Sequence, residues 1–186
     1  MEILDVFDEN EKLIGTADRK KVHKEGLWHL QVGAWLMNQN GEILLELRSK
    51  NKRANPNKWS RIGGHVDSGE TPIVSIQREV LEEVGINIPI ENYELISKIK
   101  DESYNEQIKS YNRRFLYSYF AYTNTKIEDC ILQKEEVDDI KYVTIEEIVN
   151  FYNTKDENYV FGKWNKDFID ESINFLTQKR KELNKK

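Results

Sequence analysis

The sequence predicts an α+β fold: a mixed β-sheet with helices packed on both sides. Three observations carry that expectation. Strand-patterned and helix-patterned segments are mixed without the regular alternation of a parallel α/β fold. The pair Asn40-Gly41 stands between two apolar runs, a strong short-range hairpin signal. Residues 71–85 carry the caps and the period of an amphipathic helix.

In chain order, "ILDVFD" and "LIGTADR" flank the polar "ENEK" and predict an N-terminal hairpin. "LQVGAWLMN" and "EILLELR", joined through "QNG", predict a clearer one, because Asn40-Gly41 supplies the positive φ angles of a tight turn. The connection "SKNKRANPNKW" contains Pro56, and its basic residues are expected to be solvated. Thr71 then serves as N-cap, Pro72 opens the helix and Gly85 lies just past its end. Within it, Ile73, Ile76, Val80 and Val84 recur at intervals of three and four and form one stripe to bury. "YELISKIK" and "RRFLYSYFAYT" predict strands, and "IKYVTIEEIVNFY" a short strand running into a helix near Thr144. "KDFIDESINFLTQKRKEL" predicts an amphipathic C-terminal helix over about 165–184. A length of 186 residues suits one domain, 1–186.

The net charge of −5 argues against a nucleic-acid surface built on bulk charge. It leaves room for a small anionic ligand, since a bound metal reverses the local sign. Cys130 is the single cysteine, which precludes an internal disulfide and fits a reducing compartment. The start "MEILDVFDENEK" lacks a signal-peptide pattern, and no stretch approaches the ~20 apolar residues of a membrane span. The expectation is a cytoplasmic protein without a membrane partner; a homodimer is left open.

The chemistry concentrates in "GGHVDSGETPIVSIQREVLEEVGI". A helix advances ~100° per residue, so Glu79, Glu82 and Glu83 share one face beside the apolar stripe. Like charges at this spacing each cost a few tenths of a kcal/mol, roughly, and the C-terminal end of the helix dipole adds to the penalty. On charge alone two readings stand: solvated glutamates in a chain with 33 acidic residues, or an oxygen ligand set for Mg²⁺ or Mn²⁺.

The wider spacing bears on that choice. Gly64, five residues, Glu70, seven residues, Arg78-Glu79-Val80, one residue, Glu82-Glu83, one residue, Gly85-Ile86: this resembles at every position the box of the Nudix hydrolases. The resemblance implies an α/β/α sandwich in which box residues 64–86 form a loop–helix–loop. It implies that Glu79, Glu82 and Glu83, helped by the Gly64 carbonyl, ligate Mg²⁺ or Mn²⁺. Arg78 would orient the carboxylates and Glu70 would brace the loop. The implied reaction is hydrolysis of a diphosphate linkage in a small molecule, a nucleoside diphosphate derivative or a similar substrate. Either Glu79 or Glu82 is the first choice of base, with Glu135 or Glu136 in "QKEEVDDIKYV" the second; for that pair a solvated loop is the plain alternative. Arg48, Arg53, Arg61, Arg113 and Arg114 are candidate phosphate forks. Trp28, Trp59, Tyr104, Tyr111 and Tyr159 are candidate stacking rings, although aromatics in a small domain more often belong to the core. Arg48, Arg61 and Trp59 form the expected substrate-binding set.

"VHKEGLWHLQVGAWLMN" and "WSRIGGHVDSGE" are also similar to isopentenyl-diphosphate isomerase, a Nudix-fold enzyme that builds a metal site from histidines at comparable places. The resemblance would bring His23, His29 and His65 together, a set suited to Mn²⁺ or Zn²⁺. Two departures disfavour the isomerase reaction: Gly63 stands where that enzyme needs a cysteine, and Arg113-Arg114 where acids are expected. A non-catalytic nucleotide-binding module is the remaining alternative.

Overall fold

The computed structural model describes residues 2–185. Among them the chain forms strands β1 (Ile3–Phe7), β2 (Leu13–Asp18), β3 (Trp28–Met37), β4 (Ile43–Arg48), β5 (Trp59–Ser60), β6 (Glu94–Asn105), β7 (Ser110–Tyr122) and β8 (Val137–Val143). Four helices accompany them: α1 (Arg19–Glu25), α2 (Pro72–Val84), α3 (Ile145–Asn153) and α4 (Lys166–Leu183). No helix of the described residues is long and apolar enough to cross a membrane.

The eight strands make one mixed sheet. β3 is its axis: it runs parallel to β7 from Trp28↔Arg113 to Met37↔Tyr122, and β6 closes the antiparallel hairpin with β7. β4 pairs antiparallel with β8 along its whole length.

Here the expectation for "LQVGAWLMN" and "EILLELR" needs correction. β3 and β4 meet at one register pair, Met37↔Ile43, next to the Asn40-Gly41 turn, and then splay apart. The wedge between them is filled by residues 59–66. Ser60 and Trp59 pair with β4, while Ile62 and His65 bridge to Ala34 and Gln31 of β3. The turn is therefore local and correct, but the ladders belong to partners distant in sequence. A backbone that must serve both sides of a wedge has little room for side chains, and a Cβ on Gly63 would lie 2.3 Å from the Val32 carbonyl oxygen.

Strand alternation sends successive side chains to opposite faces, which builds two cores. Leu30, Val32, Ala34 and Leu36 face one core with Leu44 of β4 and with Ile76, Val80 and Val84 of α2. Trp35 and Met37 face the other, with Ile43 and Leu45, against Ile148 of α3 and Ile169 and Leu176 of α4. Each of the fully buried aliphatic side chains on α2 contributes about 1.5–3 kcal/mol by leaving water, and this clamps the helix to the sheet. Helices thus cover both faces, as expected.

The caps largely follow local chemistry, although Thr71, at the N-cap position of α2, makes no side-chain capping hydrogen bond. Gly85 adopts φ 73° and returns its N–H to Leu81, while Thr144 and Glu147 form a reciprocal capping box at α3. α1 carries end signals that the periodicity argument passes over. Asp18 accepts from Lys21 N–H and Gly26 ends the helix at φ 68°. Seven residues with Val22 alone buried are too short to show a stripe.

Candidate active site

Docking α2 by its apolar stripe presents the adjoining carboxylates to the wedge at residues 59–66. The three box glutamates then occupy unlike environments. Side-chain exposure is 3% for Glu83, 14% for Glu79 and 49% for Glu82. Arg78 accounts for most of their tolerance of one another. Its Nη1 donates to Glu79 Oε1 at 2.9 Å and to Glu82 Oε2 at 3.2 Å. Its Nε and Nη2 donate to Glu70 at 3.0–3.2 Å, and Nη2 also reaches the His65 carbonyl at 3.2 Å. Glu70 is held in turn by the Ser75 hydroxyl at 2.6 Å.

Glu79 lies directly on Gly64: an added Cβ would sit 2.4 Å from its carboxylate carbon. The Gly64 carbonyl accepts from Val32 N–H at 2.9 Å, which fixes its direction and leaves it one lone pair. Burial, and then the charge of Glu83, raises Glu79 to about 7.

Two residues join this group that the sequence reasoning missed. Glu46 of β4, fully buried, faces α2 in the same alternation as Leu44. Burial and then the Glu83 charge push it well above the usual carboxylate range. Lys52, from the connection expected to be solvated, is instead largely covered; it lies 3.9 Å from Glu83 Oε1 and forms an ion pair with Glu136. That pair brings Glu136 beside the box carboxylates, whereas Glu135 is exposed. Arg48 stays on this side of β4, with Nη1 3.7 Å from Glu46 and two N–H groups on the Ala54 carbonyl.

Buried oxygens without partners test whether this group suits a dication. Both carboxylate oxygens of Glu46 and Oε2 of Glu83 lack a hydrogen-bond partner. An anionic, oxygen-only set with unsatisfied lone pairs matches the hard ligands that Mg²⁺ and Mn²⁺ take.

Trp59 and Arg61, expected beside the substrate, stand apart from these carboxylates. They alternate with Ser60 and Ile62, so they turn to the sheet face opposite α2. The Arg61 guanidinium is buried, lies 5.2–5.5 Å from the ring centroids of Trp35, Trp164 and Phe168, and donates to Gly33 O and Ser118 Oγ. Trp59 packs at the rim of the same core with the Lys141 ammonium 4.1 Å from its ring. Arg113 and Arg114 are engaged by Glu102 and Asp101 across the β6–β7 ladder. Tyr104 and Tyr111 pack on each other at 4.6 Å, while Trp28 and Tyr159 are core. Arg53 donates to the Ile108 carbonyl.

The three histidines do come together. Their ligand-capable nitrogens lie within 4.8 Å of one another. Each Nδ1 meets an acceptor: Tyr111 O at 2.8 Å for His23, Leu27 O at 3.1 Å for His29, Glu2 Oε1 at 3.3 Å for His65. A neutral imidazole that donates through Nδ1 carries a lone pair on Nε2. Nε2 of His23 and Nε2 of His65 face each other at 3.0 Å, and Gln31 Nε2 approaches those of His65 and His29. Burial keeps His65 at about 4 and His29 at about 3, so protonation is not the natural relief.

Comparison with known proteins places these features in a family. The profile of the NUDIX domain matches residues 27–164. The chain is 34% identical over 158 residues to an uncharacterized Nudix hydrolase of Clostridium acetobutylicum, covering 83% of this chain and 75% of that one. It is 35% identical over 146 residues to Nudix hydrolase 3 of Arabidopsis thaliana, covering 76% of this chain but spanning only 19% of that protein. The crystal structure of DR0079 from Deinococcus radiodurans superposes with a TM-score of 0.63 at 22% identity, covering 82% of this chain and 90% of that one. This last likeness speaks for the fold.

Proposed function

The chain belongs to the Nudix hydrolase family, and from that premise we propose that it is a metal-dependent enzyme cleaving a diphosphate linkage by attack of water on phosphorus. The substrate class we favour is a nucleoside diphosphate derivative or a similar small molecule. The observation that carries the reading is the cluster of Glu79, Glu82 and Glu83 on one helix face, with Glu79 against Gly64 and a buried oxygen of Glu83 without a partner.

In this reading Glu79, Glu82 and Glu83, with Gly64, hold Mg²⁺ or Mn²⁺. Such an ion neutralises diphosphate oxygens and makes water a better nucleophile near neutral pH. Arg78 keeps Glu79 and Glu82 in one orientation and prevents their repulsion from splaying them. Glu79, with a proton affinity near neutrality, is suited to take the proton of the attacking water. Glu136 is the second candidate, held within reach by Lys52. Arg48, on the same face, is the arginine best disposed to meet a phosphate oxygen.

A second ion is favoured by the facing Nε2 atoms of the histidines. We assign His23, His29 and His65 as a site for Mn²⁺ or Zn²⁺, since each imidazole has its other nitrogen held by an acceptor, the arrangement found around metal-bound histidines. The isomerase reaction is disfavoured, because a thiol at position 63 has no space beside Val32.

The test is a screen of nucleoside di- and triphosphates, dinucleotide cofactors, nucleotide sugars and prenyl diphosphates with Mg²⁺ and Mn²⁺ in turn. Glu83→Gln should lose turnover while remaining folded. Wild-type rates from that variant on every accepted substrate would overturn the assignment.

A further inference from the structure

Glu46 has no place in the Nudix box, yet it is the most conspicuous polar group in the core. It sits on β4 between Leu45 and Leu47, with its neighbour in the same alternation, Leu44, packed into the apolar layer under α2. Its exposure is 0%, and both carboxylate oxygens lack a hydrogen-bond partner. The nearest cation, Arg48 Nη1, is 3.7 Å away, too far for a hydrogen bond, and its other N–H groups are turned to Ala54. The neighbour it does face is Glu83, itself buried and close enough to hydrogen-bond Glu46 if one of the two carries a proton; its Oε2 meets no other donor, and its closest ammonium, Lys52, stands at 3.9 Å.

Two carboxylates facing each other in a dry layer cannot both stay ionised and unpartnered. Two resolutions exist. They can share a proton, in which case Glu46 acts as a neutral, structural acid. Or they can share a dication, in which case Glu46 is a ligand. Geometry favours the second. A neutral Glu46 donating to Glu83 Oε2 would still leave its own second oxygen without a donor, whereas an ion between sheet and helix uses lone pairs from both sides. Leucine would pack in this layer without any such difficulty.

We propose that Glu46 is a fourth carboxylate of the metal site, holding a divalent cation jointly with Glu83 and so tying the ion to the central sheet as well as to α2. The inference rests on the metal-dependent reading above. It adds charge to the ligand set and anchors it on a rigid strand, which raises affinity for a hard dication.

The deciding measurement is calorimetric titration of Mg²⁺ into metal-stripped wild type, Glu46→Gln and Glu83→Gln. Mg²⁺ is chosen because imidazoles hold it poorly, which keeps the histidine cluster silent. Glutamine is close in shape to the neutral acid but carries no charge. Glu46→Gln is expected to weaken Mg²⁺ binding by about tenfold or more, with thermal unfolding in chelator close to wild type, because glutamine has nearly the shape of the carboxyl it replaces. If Glu46→Gln binds Mg²⁺ like wild type while Glu83→Gln does not, Glu46 is the neutral acid and the proposal falls alone. If wild type binds no Mg²⁺, the proposal falls together with the metal-dependent reading. Should the glutamine variant fail to fold, Glu46→Asp keeps the charge but withdraws it from Glu83. Weaker binding there supports the proposal, and unchanged binding overturns it.

Discussion

Gly64 and Glu79 touch so closely that the smallest side chain at position 64 would meet the carboxylate 2.4 Å away. The loop before α2 and the middle of α2 are therefore fitted to each other through an absent side chain. The obstructed group is the far end of a flexible glutamate, so the fold can yield while the site cannot. Gly64→Ala is expected to keep its thermal unfolding close to wild type yet lower kcat by roughly a hundredfold, the scale of an ångström-sized misplacement. Parallel melting curves and Mg²⁺-dependent rates check this; an active alanine variant would show that Glu79 is free to work from elsewhere.

Glu79 gives the pH dependence a sign. Its folded value, about 7, lies above the ordinary 4.5, because of burial and then the charge of Glu83. In metal-free protein its contribution to stability is full below 4.5 and is lost as pH rises through about 7, since the unfolded chain ionises first. Glu46 and Glu83 shift in the same direction. A dication must displace those protons, so Mg²⁺ affinity should climb as pH rises through about 7, where Glu79 ionises. Titrations from pH 5.5 to 8 in buffers of different ionisation enthalpy would report the released protons, and a flat affinity over that range would contradict the arrangement.

The histidine cluster behaves oppositely. Burial holds His29 at about 3 and His65 at about 4, below the usual 6.5, so their ring nitrogens stay available in mild acid. Zn²⁺ loaded onto the protein should therefore survive dialysis at pH 5.5, where an exposed trio of imidazoles would be mostly protonated. His65→Asn should lose the ion at both pH 5.5 and pH 7.5, by elemental analysis. Retention by that variant would place the ion elsewhere.

The parts of this architecture legible in the sequence are those whose causes are local. Thr71, Pro72 and Gly85 bound α2, its apolar period locates the buried face, and the spacing from Gly64 to Ile86 points to the carboxylate site. The parts that were not legible depend on distant partners. Nothing near Trp28 indicates that it pairs in parallel with Arg113, so β3 and β4 look like a hairpin when they share only Met37↔Ile43. Glu46 in "ILLELR" looks like a polar interruption of a strand, because the residue that faces it, Glu83, lies on another element. Lys52 is one of several basic residues in a polar connection, and only the fold of that connection over α2 separates it from the rest. Trp59 and Arg61 suit a base or a phosphate by their chemistry, but strand alternation turns them away from the carboxylates.

Gly63 offers the sharpest test of which reaction this scaffold excludes. It lies in the wedge between β3 and β4, and any Cβ there would come within 2.3 Å of Val32 O and 2.8 Å of the Gly33 Cα. Both obstacles are backbone, held in place because β3 pairs with β7 over its entire length, so neither can swing aside as a side chain would. Gly63→Ala and Gly63→Cys should each destabilise the fold by about 1–3 kcal/mol or more, the usual range for overpacking. Chemical denaturation measures that cost. Because the strand rather than the missing thiol is the obstacle, the cysteine variant should show no alkene isomerisation with a prenyl diphosphate. Full stability and measurable isomerisation in Gly63→Cys would mean that the wedge opens easily and that Gly63 alone separates this site from the isomerase.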